Sequence, residues 1–111
     1  GDTMQIKSFC TCSGVLTASR KTLYITIPAE KRMDNINSID FYTLNGGIRH
    51  SDGGYIISDG GDISSLGTIT LSKSTNNLIR MEINLSTAST FTNNAPITVS
   101  FSGGTEFVFH E

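Results

Sequence analysis

Leu23-Tyr24-Ile25-Thr26-Ile27, closed by Pro28, alternates apolar and polar side chains with a period of two. Successive side chains of an extended chain point to opposite faces. The beat therefore puts Leu23, Ile25 and Ile27 on one face and Tyr24 and Thr26 on the other, as in a strand buried on one side. Proline lacks the N–H that a ladder needs and ends the run. The same beat occurs upstream in Met4-Gln5-Ile6-Lys7. Downstream it runs from Ile36 to Leu44 through Ile39 and Phe41, from Leu66 to Leu71 through Ile69, and, less cleanly in phase, from Leu78 to Leu85 through Met81 and Ile83. Ile97, Val99 and Phe101 predict a further strand and Phe107 with Phe109 another, joined through Gly103-Gly104 as a terminal hairpin. No segment sustains a helical period.

Between these runs stand Asn45-Gly46-Gly47, Asp52-Gly53-Gly54, Asp59-Gly60-Gly61 and Asn76-Asn77, residues that tolerate positive φ and read as turns. Short strands separated by such signals about every 8–12 residues predict an all-β fold, an antiparallel β-sandwich of jelly-roll-like design. A chain of 111 residues can bury a core without a metal or a disulfide, so residues 1–111 read as a single domain. Gly1 is consistent with a tag scar and the chain with a C-terminal fragment of a longer protein. Cys10 and Cys12, two apart, share one face of a strand, are poorly placed to bridge each other, and read as buried thiols.

Charged residues make up 16% of the chain and the formal net charge is −2, so no excess positive potential awaits a nucleic acid. No apolar run has the length to cross a bilayer as a helix, and no membrane partner is expected. His50 and His110, far apart in sequence, show no zinc spacing, and neither a metal nor a cofactor is expected. The nucleophile elbow, the zinc-protease helix and the phosphate-cradling glycine loop are all missing from the sequence, which reads as a binding or assembly module and not an enzyme. The ten acidic residues leave a glycosidase-type carboxylate pair as a formal alternative.

One tetrapeptide occurs twice, Ser51-Asp52-Gly53-Gly54 and Ser58-Asp59-Gly60-Gly61, around Tyr55-Ile56-Ile57. Two turns bracketing a short strand account for it. Asp62 beside Asp59 adds a carboxylate, but calcium-loop spacing is missing. Tyr24, Tyr42 and Tyr55 are the side chains able to stack on a sugar ring while hydrogen bonding through the hydroxyl, and Arg49 suits an acidic sugar or a phosphate. Arg49, His50 and Tyr55, close in sequence and read as loop-borne, form the candidate ligand-binding cluster.

Lys21-Thr22-Leu23-Tyr24-Ile25-Thr26-Ile27-Pro28, Gly47-Ile48-Arg49, Gly54-Tyr55 and Asn94-Ala95-Pro96-Ile97-Thr98-Val99 follow one another along most of the chain. In that order they resemble C-terminal modules of tail-fibre and receptor-binding proteins from phages and prophages of Gram-positive and gut bacteria. The resemblance implies a virion module at the distal end of a tail or baseplate, a homotrimer, and contact with host cell-wall carbohydrate or teichoic acid. It also makes Gly1-Asp2-Thr3 native sequence at a domain boundary. It carries over no ligand-contact residue. The alternative from another class is a carbohydrate-binding module of a secreted bacterial protein, expected to be a monomer with a polar surface, where a fibre tip exposes an apolar stripe.

Overall fold

The computed structural model describes residues 3–7, 11–17, 21–29, 31–50, 56–75, 77–88, 94–101 and 105–111. Among them run ten strands: β1 (Thr3–Lys7), β2 (Thr11–Thr17), β3 (Thr22–Pro28), β4 (Ser38–Thr43), β5 (Asn45–His50), β6 (Ile56–Asp62), β7 (Gly67–Thr75), β8 (Leu78–Leu85), β9 (Ala95–Phe101) and β10 (Glu106–His110). A 3₁₀ turn, Ile63–Leu66, precedes β7. The strands form a three-stranded sheet in the order β1-β10-β4 and a seven-stranded sheet in the order β6-β5-β9-β2-β3-β8-β7. The fold is an antiparallel β-sandwich, as the alternation predicts.

Its connectivity is nested. β1 pairs with β10, β2 with β9, β3 with β8 and β5 with β6, all antiparallel. The strand order numbers of each pair sum to eleven. β4 and β7 complete the series by lying side by side as the edge strands of the two sheets. The chain is thus one long hairpin rolled over its own core, which is jelly-roll connectivity.

The core collects the inward residues of both sheets. Leu23, Ile25 and Ile27 from β3 meet Ile79, Met81, Ile83 and Leu85 from β8, Ile97, Val99 and Phe101 from β9, and Ile39, Phe107 and Phe109 from the small sheet. Phe101 and Phe107 meet edge to face across the two sheets, with ring centroids 6.0 Å apart and planes at 89°, the arrangement that aligns a positive ring edge with a negative ring face. Met33 and Ile36, on the connection between β3 and β4, are buried and stop one end of the core.

Three expectations are corrected. Phe101 and Phe107 do not flank a hairpin: β9 lies in the large sheet and β10 in the small one, so the chain crosses between layers there. β10 pairs instead with β1 and β4, with Met4 opposite Phe109 and Ile6 opposite Phe107. Asn45-Gly46-Gly47 is not a turn but the start of β5. Gly46 is needed there for close approach, since a Cβ would overlap the carbonyl oxygen of Ser100 on β9. Asp59-Gly60-Gly61 likewise lies within β6. Gly60 and Gly61 have φ of 112° and 79° where Asn45↔Asp62 gives way to Gly47↔Asp59, so β6 carries one extra residue there and bulges, and a second extra residue follows between Ile48↔Ser58 and Arg49↔Ile56. The first copy of the tetrapeptide, with Tyr55, lies outside the described residues, as does Cys10. Cys12 is opposite Val99 in the β2–β9 register, and its side chain also lies outside them.

Gly46→Val is expected to lower unfolding free energy by about 1–3 kcal/mol, the usual cost of overpacking. Phe107→Ala, which empties the contact between the sheets, is expected to cost about 3–5 kcal/mol. Urea denaturation of the purified chain measures both.

Candidate functional site

The cluster read from the sequence is only partly visible. Arg49 and His50 are on strand β5, not in a loop. Arg49 is exposed and lies opposite Thr98 of β9. His50, the last residue of the strand, is opposite Ile97, and its side chain lies outside the described residues. Tyr55 lies outside them altogether.

Arg49 does belong to a larger surface, formed by the outer face of the seven-stranded sheet. Alternation buries Ile48, Ile97, Val99, Ile25, Ile79 and Met81 beneath it and turns the intervening residues outward. Across the strands, Arg49 is opposite Thr98, Thr98 is opposite Ser13, and on the far side of β2 Thr26 is opposite Arg80 and Arg80 opposite Ser72. The next row runs Pro96, Val15, Tyr24, Glu82, Thr70. The Arg80 guanidinium carbon lies 4.5 Å from the centroid of the Tyr24 ring and over its face. Stacking of this kind attracts the cation to the electron-rich face and holds the planar fork in one orientation. Among the described residues the guanidinium makes no hydrogen bond and no ion pair.

Tyr24 was legible as a stacking residue. Arg80 and Glu82 were not, although Leu78-Ile79-Arg80-Met81-Glu82-Ile83 already assigns them to the polar face of their strand. The missing information was that β8 lies beside β3, a pairing between residues about as far apart as Thr22 and Asn84, whose side chains hydrogen bond at 3.1 Å. Tyr42 is on β4, in the other sheet, and 63% exposed. His110 is half-buried on β10, with Nε2 2.9 Å from Asp40 Oδ2 of the adjacent β4.

A second feature is a groove of about 190 Å³ where the edges of β4 and β7 meet, lined by Ile36, Asn37, Ser38, Ile39, Leu71, Ser72 and Lys73. It is smaller than the ~300–1,000 Å³ of most ligand pockets. The Lys73 ammonium donates to the carbonyl oxygens of Met33 at 3.0 Å and Asp34 at 3.4 Å. A side chain of β7 thus ties the large sheet to the connection that leads into β4.

Asp62 serves structure. Its carboxylate accepts hydrogen bonds from the Ser64 hydroxyl and, at 2.9 Å, from the Ser64 backbone N–H, capping the 3₁₀ turn. These bonds favour the ionised form and hold its pKa below the ordinary 3.8. A depressed pKa contributes stability that is fully present above 3.8 and is lost as pH falls through the folded value. Asp62→Ala is therefore expected to melt at a lower temperature than the parent at neutral pH. The gap should close as pH drops below 3.8, which thermal scans along a pH series measure.

No protein-family model, curated protein or solved structure matches this chain.

Proposed function

We propose that the chain is a non-catalytic module of a phage or prophage tail that contacts host-surface carbohydrate. The observation that carries this reading is the stack of Arg80 on Tyr24 within an outer face rich in hydroxyl groups. Sugars offer both donors and acceptors on a ring with an apolar face. A fixed guanidinium donates, the neighbouring Glu82 accepts, and the Thr and Ser side chains around them do both. Such exposed sites bind weakly one at a time. Repetition on a homotrimer raises avidity by orders of magnitude against a repetitive cell surface.

The second reading, a carbohydrate-binding module of a secreted bacterial protein, is favoured by one observation. Among the described residues only Val15, 39% exposed, and Tyr42 are large apolar side chains open to solvent, and they lie on different sheets. They make no continuous apolar stripe for a neighbouring copy.

Light scattering coupled to size exclusion separates the two: a trimer stable on dilution supports the tail module, and a monomer supports the appended one. Both readings expect the chain to retain on a glycan array. Arg80→Gln is expected to reduce that retention about tenfold, near 1.4 kcal/mol, with an unchanged melting temperature. Equal retention of variant and parent would remove the outer face from the proposal.

A further inference from the structure

We infer that the open edge of β7 takes the carboxyl-terminal end of an extended peptide, which adds to the large sheet as a further strand. Its carboxylate lies on Lys73 and its last side chain in the groove between β7 and β4. This edge is separate from the outer face that the carbohydrate reading concerns.

Backbone groups on this edge are open. β7 ends the large sheet, and among the described residues β8 is its one ladder partner. The Leu85 N–H donates to the carbonyl oxygen of Lys21, on the β3 side of β8, and the Ser86 N–H to that of Leu66, on the β7 side. Hydrogen-bonding directions alternate along a strand, so Asn84, Glu82 and Arg80 turn their backbone groups toward β7 and meet Thr68, Thr70 and Ser72. The N–H and C=O groups of Ile69, Leu71 and Lys73 therefore point away from β8, where among the described residues no strand pairs with them. An edge of this kind is a template for another extended chain. β7 is also the most suitable of the four edges: it is nine residues long, β1 and β4 are five and six, and β6 is interrupted by two register shifts.

The groove runs beside the Leu71–Lys73 part of that edge. Ile36 and Ile39 are buried beneath it and Leu71 is half-buried, whereas Asn37, Ser38, Ser72 and Lys73 are exposed around it. Its volume of about 190 Å³ is too small for a drug-sized ligand and suits a single aliphatic side chain. Alternation along an added strand delivers one: the last side chain turns toward the groove and the one before it turns away.

Charge selects a chain end over a passing loop. An ammonium has three N–H donors, and that of Lys73 spends two on the carbonyl oxygens of Met33 and Asp34. Those acceptors are neutral and leave its charge uncompensated. Nearby carboxylates are engaged elsewhere, Asp34 with Arg32 at 2.8 Å and Asp40 with His110 at 2.9 Å. Among the described residues Lys73 has no carboxylate within ion-pair distance. A terminal carboxylate supplies a charged acceptor for the third N–H.

The test is an NMR titration of the ¹⁵N-labelled chain with acetylated hexapeptides of alternating threonine and valine. They end in free leucine, in leucinamide, or in N-methyl-leucine with a free carboxylate. The free acid is expected to shift the amide signals of Ile39, Ile69, Leu71 and Lys73 ahead of all others and to bind about tenfold tighter than the amide. N-methylation removes one ladder donor and is expected to weaken binding about fivefold. In Lys73→Met the acid is expected to lose its advantage over the amide. That comparison is made within one variant, so a general loosening of residues 33–34 does not mimic it. Equal affinity of acid and amide for the parent, full binding of the N-methyl peptide, or no binding at millimolar peptide overturns the inference. So does N-acetyl-leucine binding as tightly as the hexapeptide, which would make the groove a site for a small acid. Glycan retention is read on another face, so failure here leaves the carbohydrate reading standing.

Discussion

Everything in this sandwich depends on antiparallel pairing between segments from opposite ends of the chain. β1 lies beside β10 and β2 beside β9, so the outermost ladders close almost the full length of the sequence. Forming them directly would carry a large loop-closure cost, which grows with the logarithm of loop length. Nesting lowers that cost. Once β5 meets β6 and β3 meets β8, the ends of β2 and β9 are already near one another, and only a short loop remains for each new pair. The order of assembly implied is inside out, and the predominance of non-local pairings places the domain among slow folders.

Nesting also explains which parts of the fold the sequence made legible. Local alternation is a property of one strand, and Leu23 to Ile27, Leu78 to Leu85 and Ile97 to Phe101 declared themselves. Three features escaped because they belong to pairs. Gly46 looks like a turn residue until Ser100 is placed against it. Gly60 and Gly61 look like a hairpin loop until the extra residue of β6 is counted against β5. Gly103-Gly104 has hairpin chemistry, yet the strands on either side of it enter different sheets. β2, with Cys12, Gly14 and Val15, carries too weak an alternation to be read alone and is defined by its neighbours on both edges.

The candidate site divides in the same way. Arg49 was legible as a side chain suited to an acidic group, and the structure puts it on an exposed strand face. Its loop-borne neighbourhood was a misreading of the glycines around it. Tyr24 gains meaning only from Arg80, which reaches it across the β3–β8 ladder. The surface that results is polar without being highly charged: hydroxyls supply most of its hydrogen-bonding capacity, and a few fixed charges supply direction.

The adjacency of Thr3 and His110 in the β1–β10 register has a mechanical meaning. A force pulling these two positions apart acts on neighbouring strand ends and peels the ladder one rung at a time, like a zipper, so as a link in series the module yields at low load. A force entering through either end and leaving through the outer face is spread across the strands of both layers and loads many rungs together. The architecture therefore resists load applied across its layers better than load applied between Thr3 and His110.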